Sequence, residues 1–292
     1  MKTNFFRQFF LQEDINFLLT NRVPRIMLTR CMGWFSHIQS PLLTRLSIRV
    51  WRLFTELDLS DAQRQNFGSL HDCFTRELKP GARVINPNPA VMSSPCDGIV
   101  GTCGRVTDGV VIQAKGFPYS IAELFGPSQD TSVFNDGSYI TLRLTSGMYH
   151  RFHAPHDMLV EHVTYISGDT WNVNPIALKR VERLFCRNER AVLRAHLTGS
   201  GHPIALVPVA AILVASMRLN FLNVLLSLRY RGANEIPCAT PCAKGQELGW
   251  FEHGSTIIVF APAGFELCDG IEFGQQIRMG QALMNLPKPE AV

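Results

Sequence analysis

The sequence lacks any uninterrupted apolar run approaching the roughly 18 residues that a membrane-spanning helix needs. The nearest candidate, Pro203 to Met217, ends at Arg218 and contains Pro208, and its Val, Ile and Ala residues suit buried strands better. No C-x-x-C pair occurs among the eight cysteines, and Cys238-x-x-x-Cys242 stands alone. That argues against a zinc framework and for reduced thiols in a cytosolic protein. Arg7, Gln8, Glu13 and Asp14 interrupt any apolar stretch near the N-terminus, so a cleavable signal is not expected. Charged residues are only 18% of the chain and nowhere form the dense Lys/Arg stripe of a nucleic-acid surface. The net charge of +4 suits an anionic partner without naming one.

Acids are scarce at the start. Within residues 1–59, Glu13, Asp14, Glu56 and Asp58 stand against Lys2, Arg7, Arg22, Arg25, Arg30, Arg45, Arg49 and Arg52. Aromatic residues are interleaved there: Phe5, Phe6, Phe9, Phe10, Phe17, Trp34, Phe35, Trp51 and Phe54. Leu42, Leu46, Val50, Leu53 and Phe54 recur at helical spacing with Arg45, Arg49 and Arg52 between them. The pattern predicts two or three basic amphipathic helices, divided by Pro24 and Pro41, that lie in a bilayer interface. Ordinary packing of such helices on a core is the alternative.

From about residue 83 the pattern changes to β-branched runs separated by turn residues. Strands are expected at Val110–Ala114, Tyr139–Leu144, Val160–Ile166, Ala191–Leu197, Ile204–Val214 and Thr256–Phe260. Helices are expected at Ile121–Phe125 and Pro175–Leu184, with a further helical segment in residues 60–80. The expected architecture is an α+β fold: a β-rich, sandwich or barrel-like core with N-terminal amphipathic helices. Residues 1–66 form the helical membrane-associating region and residues 67–292 the β-rich catalytic core.

Three stretches carry chemistry: Ser94-Pro95-Cys96-Asp97-Gly98, then Tyr149-His150-Arg151-Phe152-His153-Ala154-Pro155-His156, and Glu252-His253-Gly254-Ser255-Thr256. Asp, His and Ser in separate places can assemble an orienting carboxylate, a base and a nucleophile. Gly254 has no side chain, so the Ser255 hydroxyl can approach the Gly254 carbonyl carbon in a strained turn. Attack there shifts the amide to an ester. Loss of the Ser255 α-proton then eliminates the ester, releasing residues 1–254, and loss of ammonia leaves a pyruvoyl group at residue 255. A plain Gly-Ser-Thr turn before a strand is the bland alternative.

Taken together, Gly254-Ser255-Thr256 before an apolar strand, Tyr149-His150-Arg151-x-His153-x-Pro155 and Pro95-x-Asp97-Gly98 resemble the phosphatidylserine decarboxylase family. The resemblance includes Phe74-Thr75-Arg76-Glu77-Leu78, Ala114-Lys115-Gly116 with Tyr119-Ser120, Gly168-Asp169 with Val173-Asn174-Pro175, and Phe185 with Arg187-Asn188-Glu189-Arg190. It runs from about residue 67 to about 282 in the family's order. It implies self-cleavage between Gly254 and Ser255 into a 1–254 beta chain and a 255–292 alpha chain that stay associated. Ser255 resembles the precursor of the covalent pyruvoyl cofactor, Asp97 and His153 the pair that activates it, and His150 a proton-transfer group in decarboxylation. A structural role is the alternative for His150. The implied reaction converts phosphatidylserine of an anionic membrane to phosphatidylethanolamine and CO2 through a Schiff base, by a peripheral protein at the cytoplasmic face of the cell membrane.

Two positions depart from the family pattern. His253 replaces the usual Leu, and His156 adds a third histidine to His150-x-x-His153. Pro155 would strain a helix across that stretch, so no metal is expected. A serine hydrolase using Asp97, His153 and Ser255, a non-catalytic lipid-binding protein and a pyruvoyl enzyme acting on a related serine lipid are the rival readings. A homo-oligomer stays open; nucleic acid is not an expected partner.

Overall fold

Alternating β-branched residues and tight turns build one large antiparallel sheet with smaller sheets packed around it. The computed structural model describes residues 13–14, 17–18, 24–114, 117–127, 129–212, 216–252 and 255–288. The large sheet has eight strands, in the order Glu235–Cys242, Met158–Ile166, Arg190–Leu197, Pro203–Ala210, Ser255–Ala261, Ser138–Leu144, Gly98–Arg105 and Gln276–Ile277. Four strands form a second sheet: Val224–Ser227, Ser216–Leu219, Glu247–Phe251 and Arg151–His153. Val91–Ser93, Ala282–Asn285 and Glu266–Leu267 form a third, and Val110–Ala114 pairs with Phe117–Ser120. All the sheets are open, and the fold is α+β with a β-rich core.

Ser255–Ala261 lies inside the large sheet and is buried at every position. Its odd-numbered apolar residues, Ile257 and Val259, face one cluster with Leu142, Leu193 and Leu206. Its even-numbered ones, Ile258 and Phe260, face a second with Val207, Phe125 and Phe134. A strand with apolar neighbours on both faces reads as a continuous apolar run, which is why Thr256–Phe260 is visible in the sequence.

Among the described residues, helices α1 (Arg25–Ser36), α2 (Pro41–Phe54) and α3 (Leu70–Phe74) precede the sheets. Pro24 and Pro41 start helices. Pro24 sits at the N-cap of α1, and Pro41 occupies the first turn of α2, where its missing N–H costs nothing. Ser69 and Asp72 close a reciprocal capping box on α3, each side chain accepting the other's backbone N–H at 3.1 Å. Ile48 of α2 packs with Leu57, Leu59, Ala62, Leu70 and Cys73, so these helices share one apolar cluster with the segment that follows them.

The strand expectations match to within a few residues, except that Ile204–Val214 ends at Ala210; Leu213 and Val214 lie outside the described residues. The expected helix Pro175–Leu184 is two short ones, Pro175–Leu178 and Leu184–Arg187. Arg183, at the N-cap of the second, has φ +52°, a left-handed backbone outside the right-handed helix. Within residues 60–80 only α3 is helical. The rest folds back on itself, with Ala62 bridged to Leu78 and Lys79 N–H bonded to the Asp61 carbonyl.

Candidate active site

Ser255 opens the central strand, its backbone paired with Leu144 on one side and Ala210 on the other. It is fully buried, and its Oγ has no hydrogen-bond partner among the described residues. A buried bare hydroxyl costs about 1–3 kcal/mol and calls for an explanation. The Thr256 hydroxyl is bare as well, so position sets Ser255 apart: it stands at the strand mouth, next in sequence to Gly254. Gly254 and His253 lie outside the described residues, as do Lys115 and Gly116.

The chain leaves the sheet at Leu144, the partner of Ser255, and turns back into the histidine stretch with Met148 N–H bonded to the Thr145 carbonyl at 3.0 Å. Gly147 passes so close to Glu56 that an added Cβ would collide with the Glu56 carbonyl. Phe74-Thr75-Arg76 forms the wall behind this loop. The Phe74 ring lies 3.9 Å from the His150 ring, centroid to centroid, and Arg76 donates to the Gly147 carbonyl at 2.9 Å. Arg151 donates to the Thr75 carbonyl at 2.8 Å and to Glu247 at 2.9 Å. The distant Phe-Thr-Arg motif is therefore scaffolding for the histidines.

Both rings take a defined tautomer. A carbonyl oxygen only accepts, so His150 Nδ1 carries the hydrogen it gives to the Met148 carbonyl at 2.9 Å. His153 Nδ1 likewise donates to the Gly245 carbonyl at 3.0 Å, while its Nε2 accepts from the Tyr149 hydroxyl at 3.0 Å. Burial lowers the His153 pKa, outweighing the Gly245 hydrogen bond, so the ring is neutral and able to accept a proton at pH 7.

Asp97 is held by a two-pronged ion pair with Arg83, at 2.8 and 2.5 Å, and accepts the Met279 N–H at 2.9 Å. Arg83 also donates to Asp61 at 2.9 Å. Among the described residues Asp97 makes no hydrogen bond to His153. Its negative charge works against the lowering that burial imposes on His153 and adds a small part to the rise that burial imposes on Tyr149, and His153 N–H is bonded to the Pro95 carbonyl at 2.8 Å. Asp97 and His153 thus share one neighbourhood with Arg83 and Tyr149 between them. Tyr149 was visible within its motif; Arg83, on a loop 14 residues before Asp97, had no sequence signal.

A cavity of about 770 Å³ opens beside these groups, lined by Asp97, Met148 and Tyr149 together with Arg52, Leu53 and Phe54 at the end of α2. A smaller hollow of about 290 Å³ shares Arg83 and Tyr149 with it and reaches His153. His156 is separate: its Nε2 donates to the Pro89 carbonyl at 2.8 Å, and the three histidines of the stretch do not gather as a ligand set among the described residues.

Glu189 was visible within the Arg187-Asn188-Glu189-Arg190 motif, but sequence reasoning gave it no role. Its carbonyl accepts the N–H of Ala210, the residue paired with Ser255, so the two side chains lie on one face of the sheet with a single small residue between them. Tyr165 Oη lies 2.7 Å from Glu189 Oε1 and 2.8 Å from the Ser227 carbonyl. One phenolic hydrogen cannot serve both acceptors at once, so protonation of Glu189 would supply the second. Burial pushes the Glu189 pKa up to about 7 against the pull of the Tyr165 bond. A carboxyl that exchanges its proton near neutral pH therefore sits two strands from Ser255.

Comparison with known proteins agrees with the motif resemblance. The family model for phosphatidylserine decarboxylase matches residues 70–285. A phosphatidylserine decarboxylase proenzyme of Brevibacillus brevis is 35% identical over 271 residues, covering 91% of this chain and 95% of the relative. One from Haemophilus influenzae is 33% identical over 270 residues, covering 89% and 92%, and one from Shewanella putrefaciens 33% over 290 residues, covering 95% and 100%. With this match across nearly its whole length, the chain belongs to the phosphatidylserine decarboxylase family.

Proposed function

We propose that the chain is a proenzyme that cuts itself between Gly254 and Ser255 and then decarboxylates phosphatidylserine to phosphatidylethanolamine at a membrane surface. The observation that carries this is the bare, fully buried Ser255 hydroxyl at the mouth of the central strand. A hydroxyl without a competing hydrogen bond is free to attack the carbonyl beside it. His153, buried and neutral, is the base that takes its proton, and Asp97 supplies the negative charge that stabilises the resulting imidazolium. The ester formed by attack is eliminated when the Ser255 α-proton leaves, releasing residues 1–254. Water then displaces ammonia from residue 255.

The residues fit a pyruvoyl group at 255, since that position is sealed from solvent and flanked by Leu144 and Ala210. Such a group supplies an electron sink for the pair released as CO2 departs. His150, with its ring fixed by Met148 and Phe74, is placed to hold or return a proton during that step. The cavity next to Asp97 accommodates the headgroup, and Leu53 and Phe54 on its rim meet the acyl region.

Residues 1–66 are assigned to membrane association at the cytoplasmic face. Supporting this, α1 and α2 turn polar Thr29, Ser36 and Thr44 inward and leave Trp34 73%, Leu42 81%, Leu53 73% and Phe54 71% exposed. No helix among the described residues is long and apolar enough to cross a membrane.

Intact-mass measurement on the purified protein tests the reading. Fragments 1–254 and 255–292, the second without a free amino terminus, are expected. A single intact chain that is active and labelled at Ser255 by a serine-directed phosphonate would overturn it in favour of a hydrolase.

A further inference from the structure

Three side chains remote in sequence meet where the helices abut the second sheet. His37 caps the C-terminus of α1, His71 lies on α3, and Glu252 follows the strand Glu247–Phe251, two residues before Gly254. The two imidazoles stack with centroids 4.1 Å apart and planes 27° apart. His71 Nε2 lies 3.3 Å from Glu252 Oε1, and one ligand atom from each of the three residues falls within 4.8 Å of the others. We propose that His37, His71 and Glu252 form a binding site for one divalent transition-metal ion, of the zinc type.

The groups around the cluster are arranged as outer partners of metal ligands are. His37 Nδ1 donates to the Gly33 carbonyl at 2.7 Å, which fixes the tautomer and leaves Nε2 as the coordinating atom. The Ser216 hydroxyl donates to Glu252 Oε2 at 3.1 Å and orients the carboxylate while Oε1 points to His71. Two imidazoles and one carboxylate suit zinc and its first-row neighbours, whereas magnesium and calcium prefer oxygen alone. Three protein ligands leave a position for water, and His37, exposed, gives the ion a way in. Zinc bonds of roughly 2.0–2.2 Å need the three atoms drawn together by side-chain rotation alone.

The bound ion ties α1, α3 and the chain just ahead of the scissile bond into one unit, with all three ligands on the 1–254 side of the break. Nothing in the spacing announces it: 34 residues separate His37 from His71, and 181 separate His71 from Glu252.

The test is calorimetric titration of the chelator-treated full-length protein with zinc chloride, paired with the visible spectrum of the cobalt-loaded protein. One ion per chain is expected, with weakening of at least about tenfold in His37→Asn and in His71→Asn. Cys31→Ser, which removes the exposed thiol of α1, should bind as the parent does. His37 is exposed, so its variant tests the site without risk to folding. Zinc binding equal to the parent's in both histidine variants, no binding at all, or equal affinity for magnesium would each overturn the proposal. None of these outcomes depends on self-cleavage or lipid turnover.

Discussion

The central sheet and the first two helices obey opposite rules of burial. In the sheet, Ile257, Ile258, Val259 and Phe260 are hidden and polar groups are the exceptions. In α1 and α2 the hidden residues include Thr29, Ser36 and Thr44, and the large apolar side chains face outward. Thr44 Oγ1 donates to the Gly68 carbonyl at 3.0 Å and Ser36 Oγ to the Gly33 carbonyl at 2.9 Å, so the inward face is held by hydrogen bonds as well as by Ile48. One region is built to exclude water by folding. The other leaves large apolar side chains exposed, which the proposed membrane association would cover.

The largest effect that can break this comparison lies at the strand mouth. Ser255→Ala should abolish cleavage on a denaturing gel and reduce decarboxylation to background. The variant should still fold, with the parent's circular-dichroism spectrum, because the lost hydroxyl had no hydrogen bond to give up. A processed Ser255→Ala protein would remove that residue from the reaction. Farther along the strand, Phe260→Ala should cost about 3–5 kcal/mol in urea unfolding, since it empties the space among Phe125, Phe134 and Tyr139.

Glu189 gives an intermediate effect that depends on pH. Its folded pKa, near 7, lies above the usual carboxylic range, so the folded state holds a proton that the unfolded chain has released. The stabilisation is complete in acid below the unfolded pKa and is lost as pH rises through about 7. The urea midpoint should therefore decline between pH 5 and 8 in the parent and decline less in Glu189→Gln. Equal slopes would mean the carboxyl is already ionised.

The smallest effects belong to the helices and sharpen the contrast. Leu42→Asp with Leu46→Asp should weaken binding to phosphatidylserine-containing vesicles at least about tenfold, by removing two apolar contacts with lipid. The same pair should shift unfolding by no more than about 0.5 kcal/mol each, as substitutions at open surface do. Loss of folding without loss of vesicle binding would reverse the assignment of that face.

Much of this was legible because each region has a strong local period. Thr256–Phe260 declares itself as an apolar run, and Leu42 to Phe54 as a helical stripe. The stripe could not say which side it faces, because an inward apolar face and a lipid-facing one have the same spacing. The histidines were found through their motif, but their tautomers depend on carbonyls of Met148 and Gly245, which no pattern encodes. Arg83 was missed and Glu189 was given no role because each acts through tertiary partners, Asp97 in one case and Tyr165 with Ala210 in the other. Between Leu178 and Leu184 the chain leaves the helix, and Arg183 enters the second helix from a left-handed backbone that helical propensity does not register.

Ser255–Ala261 is laced to Pro203–Ala210 on one edge and Ser138–Leu144 on the other. The proposed cut just ahead of it would leave those ladders in place, so that maturation would change connectivity while shape persists. Before the cut, a denatured molecule can refold by itself; afterwards it must find its missing piece in solution, and recovery becomes second order in protein. Under the proposed processing the mature form would be a heterodimer by descent, with a durability set by how slowly one strand slips from its neighbours.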